Sequence, residues 1–200
     1  MNRELAELLG LLCAEGCHVQ CTYERMQFDK RRGKAYRSIE HRNVIEFSNT
    51  NMLLLKRFAQ LVDYVYGYSP NITCIKCGKP KITLARKHIV KDLLSYSNYG
   101  SAKWIVPKEM MSTTRSAKAA FIRGLFDGDG TFSKKTVRLY SCNIMALRKV
   151  SKVLDSLNLE HTMQGPSKVN GKMDMFTLNV LASQHATFMS LVNPIRYKPS

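Results

Sequence analysis

Ala120-Phe-Ile-Arg-Gly-Leu-Phe-Asp-Gly-Asp-Gly130 runs apolar through Phe121, Ile122, Leu125 and Phe126, then stops in two carboxylates among three glycines. A variant recurs as Ala6-Glu-Leu-Leu-Gly-Leu-Leu-Cys-Ala-Glu-Gly16. With Gly10 set on Gly124, a separation of 114 residues, Ala6 falls on Ala120, Ala14 on Gly128, Glu15 on Asp129 and Gly16 on Gly130. Each copy therefore places small residues four apart on one helical face. Such a stripe lets a second backbone approach closely. Two such helices lying side by side would end at one level, with Glu15 beside Asp129 and with Gly16 and Gly130 as left-handed caps. Two acids at helix C-termini face the negative ends of both dipoles and repel each other. A divalent cation, Mg2+ above all, is the expected compensation. One copy alone would fit an amphipathic helix that happens to stop at an acid; the recurrence in register argues for the pair.

Composition sets the partner class. Lys and Arg number 31 against 15 Asp and Glu, a net charge of +16, spread along the chain without a single basic tail. A folded protein with that excess is expected to meet a polyanion, nucleic acid first. At 44% apolar, 200 residues can bury a core in one or two small domains. No run of about 18 apolar residues occurs, so no membrane span is expected. The polar stretch 1–7 fits neither a secretory nor a transit peptide, so the expectation is an intracellular protein, cytoplasmic in a prokaryote. Cys74 and Cys77 have the spacing of half a zinc site without a second half downstream. Zinc would have to borrow Cys13, Cys17, His18 or Cys21, and reduced thiols are the expected state.

Taken in order, 2–14 reads as a helix with a second apolar face at Leu5, Leu8, Leu9 and Leu12, so it should be central. Alternation over 17–28 and 36–47 predicts a hairpin, turning through the basic run 29–34. Gln20, Thr22 and Glu24 alternate with Val19, Cys21 and Tyr23, while Ser38, Glu40 and Arg42 alternate with Ile39, Ile45 and Phe47. A sheet face so polar suits readout in a major groove. A helix to about Tyr66, capped by Ser48, Asn49 or Thr50, is followed by a short hairpin through Lys81 to Arg86 and a third helix over 88–96. Residues 97–114 read as a locally packed linker with Trp104 as its one large anchor.

After Gly130 the order repeats, with a shorter hairpin over 131–142, a helix over 144–157, a hairpin turning near Asn170, and a closing helix over 183–192. Phe47-Ser48 aligns with Tyr140-Ser141 at a separation of 93, which makes the first leading hairpin 21 residues longer. The expected fold is α+β, two αββαββα units related by a pseudo-twofold, with residues 1–98 and 113–200 as the units and 99–112 between them.

With these residues the chain resembles the LAGLIDADG homing endonucleases, in the single-chain form with two motif copies encoded in introns or inteins. It is similar to the compact archaeal intron-encoded members. Leu8-Leu-Gly-Leu-Leu-Cys-Ala-Glu-Gly16 and Ile122-Arg-Gly-Leu-Phe-Asp-Gly-Asp-Gly130 carry the likeness. The resemblance implies a monomeric saddle of two antiparallel sheets straddling double-stranded DNA, cutting both strands with a stagger that leaves 3′ overhangs. It implies Glu15 and Asp129 as catalytic metal-binding acids, with the carbonyls of Ala14 and Gly128 as further ligands to Mg2+, and Mn2+ or Ca2+ substituting for binding. Two departures stand out. Asp127 has Cys13 as its counterpart, leaving one spare carboxylate, and the lysine this family tends to keep after the second strand is replaced by Ser48-Asn49 and Ser141-Cys142. The basic helper would then come from Lys134, Lys135, Arg42 or solvent.

Expected DNA contacts are Gln20, Thr22, Glu24, Ser38, Glu40, Arg42, Lys81, Arg86, Lys134, Lys135, Arg138 and Lys172 on the strands, with Lys30, Arg31, Arg32 and Lys34 anchoring phosphates. The chain ends lack splicing residues, so a free-standing product is expected rather than an intein. Two other readings compete: a DNA- or RNA-binding maturase or regulator on the same fold, favoured by the missing lysines, and a basic ribosome-associated protein, which leaves the duplicated helices unexplained.

Overall fold

The computed structural model describes residues 1–29, 31–74, 78–133, 136–169 and 173–197. Two units follow one plan. The first runs α1 (Arg3–Glu15), β1 (Gly16–Asp29), β2 (Lys34–Ser48), α2 (Met52–Tyr66), β3 (Ile72–Thr73), β4 (Lys81–Leu84) and α3 (Lys87–Tyr96). After a 3-10 turn at Lys108–Met111, the second runs α4 (Arg115–Asp129), β5 (Gly130–Phe132), β6 (Val137–Ser141), α5 (Ile144–Ser156), β7 (His161–Val169), β8 (Met173–Val180) and α6 (His185–Val192). Both sheets are antiparallel, ordered β1-β2-β4-β3 and β5-β6-β8-β7, so the pseudo-twofold extends to strand connectivity. No helix among the described residues is long and apolar enough to cross a membrane.

The two motif helices form the spine. Every residue of α1 from Ala6 to Cys13 is buried, as two apolar faces require. A Cβ built on Gly10 would lie 2.2 Å from the Phe121 carbonyl oxygen, and one on Gly124 would lie 2.3 Å from that of Glu7. Each glycine thus admits the other helix's backbone. Buried Glu7 adds a polar tie, accepting from Arg57 Nε and Nη2 at 2.7 Å and from Arg123 Nη1 at 3.4 Å. Two guanidiniums from α2 and α4 thereby neutralise a carboxylate that could not be buried alone.

Gly16 and Gly130 are not left-handed caps. Their φ and ψ are −78° and 146°, and −83° and 158°, the extended values of a first strand residue. The chain passes from helix into strand without a turn, and a Cβ at either glycine would meet the carbonyl oxygen of Leu12 or Phe126 at 2.4 Å. The cap of α2 is Asn51, with its side chain accepting from Leu53 N, rather than Ser48, Asn49 or Thr50.

Strand pairing also moves the internal alignment by one residue. Gly16 pairs with Phe47 and Gly130 with Leu139, so Phe47 corresponds to Leu139 and not to Tyr140. Both partners are buried, and the helix caps Asn51 and Asn143 then coincide. Gly16 to Phe47 spans 31 residues and Gly130 to Leu139 spans 9, a difference of 22 instead of 21. Matching Ser48, Met52 and Lys56 to Ser141, Met145 and Lys149 by identity hid the slip, which turns every strand side chain to the other face.

The segment between the units is more than a locally packed linker. Tyr99, Val106 and Met110 are buried along with Trp104, and Asn143 Nδ2 donates to the Trp104 carbonyl at 2.7 Å.

Candidate functional site

Glu15 and Asp129 are the last residues of α1 and α4, and glycine-tight packing delivers both to one place. A Cβ on Gly128 would meet the Ala14 Cβ at 2.3 Å and Glu15 Cγ at 3.3 Å, so the four predicted residues do converge. Burial raises the Asp129 carboxyl to about 7, Glu15 pushing it further up and Arg196 opposing. Glu15 is also raised by burial, against Lys79, Arg196 and a hydrogen bond from Asn49 Nδ2 at 2.9 Å. A cleft of about 320 Å³ opens here between Glu15, Asn49, Lys79, Gly128 and Arg196. Of the two acids Glu15 lines it, whereas a larger cleft of about 980 Å³ between β2 and α3 is lined by neither. Chemistry, not size, marks the smaller as the site.

The donor set suits an ion that keeps much of its own water. Among the described residues no three His, Cys, Asp or Glu side chains gather as a metal cage. Cys13, Cys17, Cys21, Cys74 and Cys142 are free thiols, while Cys77 lies outside the described residues. Two carboxylates plus main-chain oxygens is the ligation Mg2+ accepts. One carbonyl is already engaged: Arg196 Nη1 donates to the Asp127 and Gly128 oxygens, both at 2.8 Å.

Asp127 is not a spare carboxylate. It is fully buried, and its two oxygens accept the main-chain N–H groups of Ile195 and Arg196 at 3.0 Å each. Its task is to strap the C-terminal segment across the end of α4. Its counterpart Cys13 is inert, burial pushing the thiol up to about 12.

Asn49, Lys79 and Arg196 were not expected here. Asn49 was expected to cap a helix, and neither Lys79 nor Arg196 was among the expected site residues. The only sequence signal was the missing lysine itself, which required some other cation nearby. Arg42, one suggested helper, pairs instead with Glu46, which also takes Lys81 Nζ at 2.8 Å.

The residues expected to touch DNA fall on two faces. Opposed residues of an antiparallel pair share a face, and Gln20, Thr22 and Glu24 oppose Asn43, His41 and Ile39. That is the face of buried Ile45 and Phe47, turned towards the helices. Ser38, Glu40, Arg42 and Lys81 occupy the outer face with Tyr23, and Arg138 the outer face of the second sheet. Two separately read strands carried no common phase, so their polar positions were placed together wrongly. Ile39, expected inside, is 64% exposed because the hairpin outruns the helices. Arg86 stacks over Tyr68, 4.1 Å from its ring centroid. Arg31, Arg32 and Lys34 are exposed at the hairpin tip, whereas Lys30, Lys134, Lys135 and Lys172 lie outside the described residues.

The raised acids predict a pH signature. A carboxyl raised on folding binds its proton more tightly in the native state. Its stabilisation is full below the unfolded value near 3.8 and is lost as pH rises through the folded value of about 7. Without divalent metal, Asp129→Asn should therefore gain in melting temperature relative to the unaltered chain between pH 5 and 8. Added Mn2+ should raise the melting point of the unaltered chain most at pH 8. A difference independent of pH would contradict the burial of charge at Asp129.

A family model described as a LAGLIDADG-like domain matches residues 116–186, from α4 into α6. No curated protein matches the chain. Mesophilic variants of the homing endonuclease I-DmoI match with a TM-score of 0.66 at 19% identity over 94% of each chain. I-DmoI in complex with DNA and Mn matches at 0.64 and 18% over 98% of each. Full-length DUF199/WhiA from Thermatoga maritima matches at 0.57 and 17%, over 98% of this chain and 57% of that one. At such identities the likeness is one of fold: a LAGLIDADG-like second unit within a two-unit, pseudo-symmetric architecture.

Proposed function

We propose that the chain is a monomeric LAGLIDADG-type endonuclease that binds a long asymmetric site in double-stranded DNA and hydrolyses one phosphodiester in each strand. Units at 1–98 and 113–200, joined through 99–112, would each cover half of that site. The observation that carries the reading is the convergence of Glu15 and Asp129, two acids at the ends of two closely packed helices, beside a cleft that Glu15 lines, on a chain of charge +16. The two carboxylates would hold Mg2+, with the Ala14 carbonyl beside them and that of Gly128 shared with Arg196. When bound there, a divalent ion would supply an activated water and stabilisation of the departing oxygen. Asn49 orients Glu15, and Lys79 and Arg196 offset charge as phosphates approach. The outer sheet faces, bearing Ser38, Arg42, Lys81 and Arg138, would lie in the major groove, and each strand cut once would leave 3′ overhangs.

The test is incubation of the full chain with a plasmid carrying the sequence that flanks its gene, joined without the intervening DNA. Linearisation in Mg2+ and none in EDTA is expected. Tight binding without a cut in Mg2+ or Mn2+ would select the second reading, a DNA- or RNA-binding maturase or regulator. The engaged Gly128 carbonyl favours that alternative.

The hairpin tip should act through phosphates alone. Replacing Arg31, Arg32 and Lys34 by Ala is expected to weaken binding to all sequences equally and to lower the salt slope by about one for each phosphate no longer neutralised. A loss of affinity confined to one sequence would contradict it.

A further inference from the structure

After α6 the chain turns at Asn193, whose φ is 50°, and runs back over the end of α4. The strap is held by main chain: Ile195 N and Arg196 N on the Asp127 carboxylate. Tyr197 packs its ring edgewise on Phe132 and His185, with centroids 6.4 and 6.0 Å away. Arg196 is thereby fixed at both flanks while its side chain remains exposed in the cleft of Glu15, Asn49 and Lys79.

A guanidinium carries five N–H donors in a planar fork. Arg196 spends Nη1 on the carbonyls of Asp127 and Gly128. Its Nε and Nη2 donors have no hydrogen-bond partner among the described residues, and it makes no ion pair within 4 Å of either acid. A rigid cation with an open fork is thus held in the cleft that Glu15 and Lys79 also line. The pseudo-twofold explains why one is needed. In the first unit Lys79 approaches Glu15 from the turn before β4. Ile82 opposes Phe47 and Leu178 opposes Leu139, so the position equivalent to Lys79 is Met175, which carries no charge.

We propose that Arg196 is the phosphate-binding residue of the second half-site, taking by a route outside the repeat the place that Lys79 holds in the first. The inference rests on the nucleic-acid reading of the site but not on cleavage. The free Nε and Nη2 edge donates to two phosphate oxygens in the bidentate manner that guanidinium geometry favours, while Nη1 stays on the helix-end carbonyls.

The experiment uses the full chain, Arg196→Met and Arg196→Lys. The strap's main-chain bonds are available to all three. Binding to a non-cognate duplex is measured as a function of salt, since that term counts neutralised phosphates without a known target. Arg196→Met should flatten the log-affinity against log-salt slope by about one, and Arg196→Lys should keep the slope. On a cleaved site, Arg196→Met should lose on the order of 100-fold in cutting rate, with partial recovery in Arg196→Lys. An unchanged slope in Arg196→Met overturns the proposal. So does a loss that tracks a fallen melting temperature and is no better in Arg196→Lys, because that marks the strap as structural only. Should Arg196→Met fail to fold, Arg196→Gln supplies the neutral arm. If the unaltered chain binds but never cuts, the nuclease reading fails while the salt slope still decides the role of Arg196.

Discussion

Glu15→Gln and Asp129→Asn are each expected to reduce double-strand cleavage by at least about 1,000-fold, roughly 4 kcal/mol of transition-state stabilisation. Both substitutions preserve volume, so helix packing around Ala14 and Gly128 should persist. What disappears is one of two carboxylates able to hold a cation where helix dipoles and burial already disfavour negative charge. That burial is what raises Asp129 to about 7, with Glu15 adding to it. Removing either acid relieves its neighbour, so the variants should melt at or above the temperature of the unaltered chain in metal-free buffer. They should also bind duplex at least as tightly, because a like charge no longer faces the phosphates. Gel-shift and cleavage assays on the same DNA separate the two effects. Unimpaired cutting by both variants would remove the acids from the reaction, and with them the nuclease reading.

How far the sequence alone reaches is visible at particular residues. The helix pair was legible because Ala6, Gly10 and Ala14, and Ala120, Gly124 and Gly128, repeat at a spacing with one steric meaning. The acids followed, since a residue one step beyond the stripe must end at the same level in both copies. Strand faces were another matter. Each strand has its own alternation, but the phase between them is set by the tip, and only the pairing of Thr22 with His41 shows that Gln20 and Ser38 lie on opposite faces. Asp127 read as a spare carboxylate because nothing near it in sequence engages it; the main-chain donors that occupy it come 68 and 69 residues later. Arg196 was silent for the same reason. Its position depends on the path after α6, and nothing local encodes a path.

Gly124→Ala is expected to destabilise the fold by about 3 kcal/mol or more, far beyond the usual cost of adding one methyl group. The added carbon would lie 2.3 Å from the Glu7 carbonyl oxygen and 2.7 Å from Leu11 N, both backbone atoms of a buried helix. Neither can rotate away, so α1 and α4 must separate along their whole interface. For 200 residues that corresponds to a fall of about 10 °C in melting temperature. Gly10→Ala should behave alike, since its Cβ would meet the Phe121 carbonyl oxygen at 2.2 Å. Gly67→Ala is the contrast: φ is 60° but nothing lies within 4 Å, so only the left-handed penalty of about 1 kcal/mol applies. Separation should also part Glu15 from Asp129, weakening Mn2+ binding in whatever fraction stays folded. The two glycines meet at one crossing, so Gly10→Ala with Gly124→Ala should cost less than the single effects added, because helices already forced apart have room for the second methyl. Urea titration of the four variants measures all of this. A Gly124→Ala as mild as Gly67→Ala would mean that the helices are not held at backbone distance, and the acids would then lack the device that brings them together.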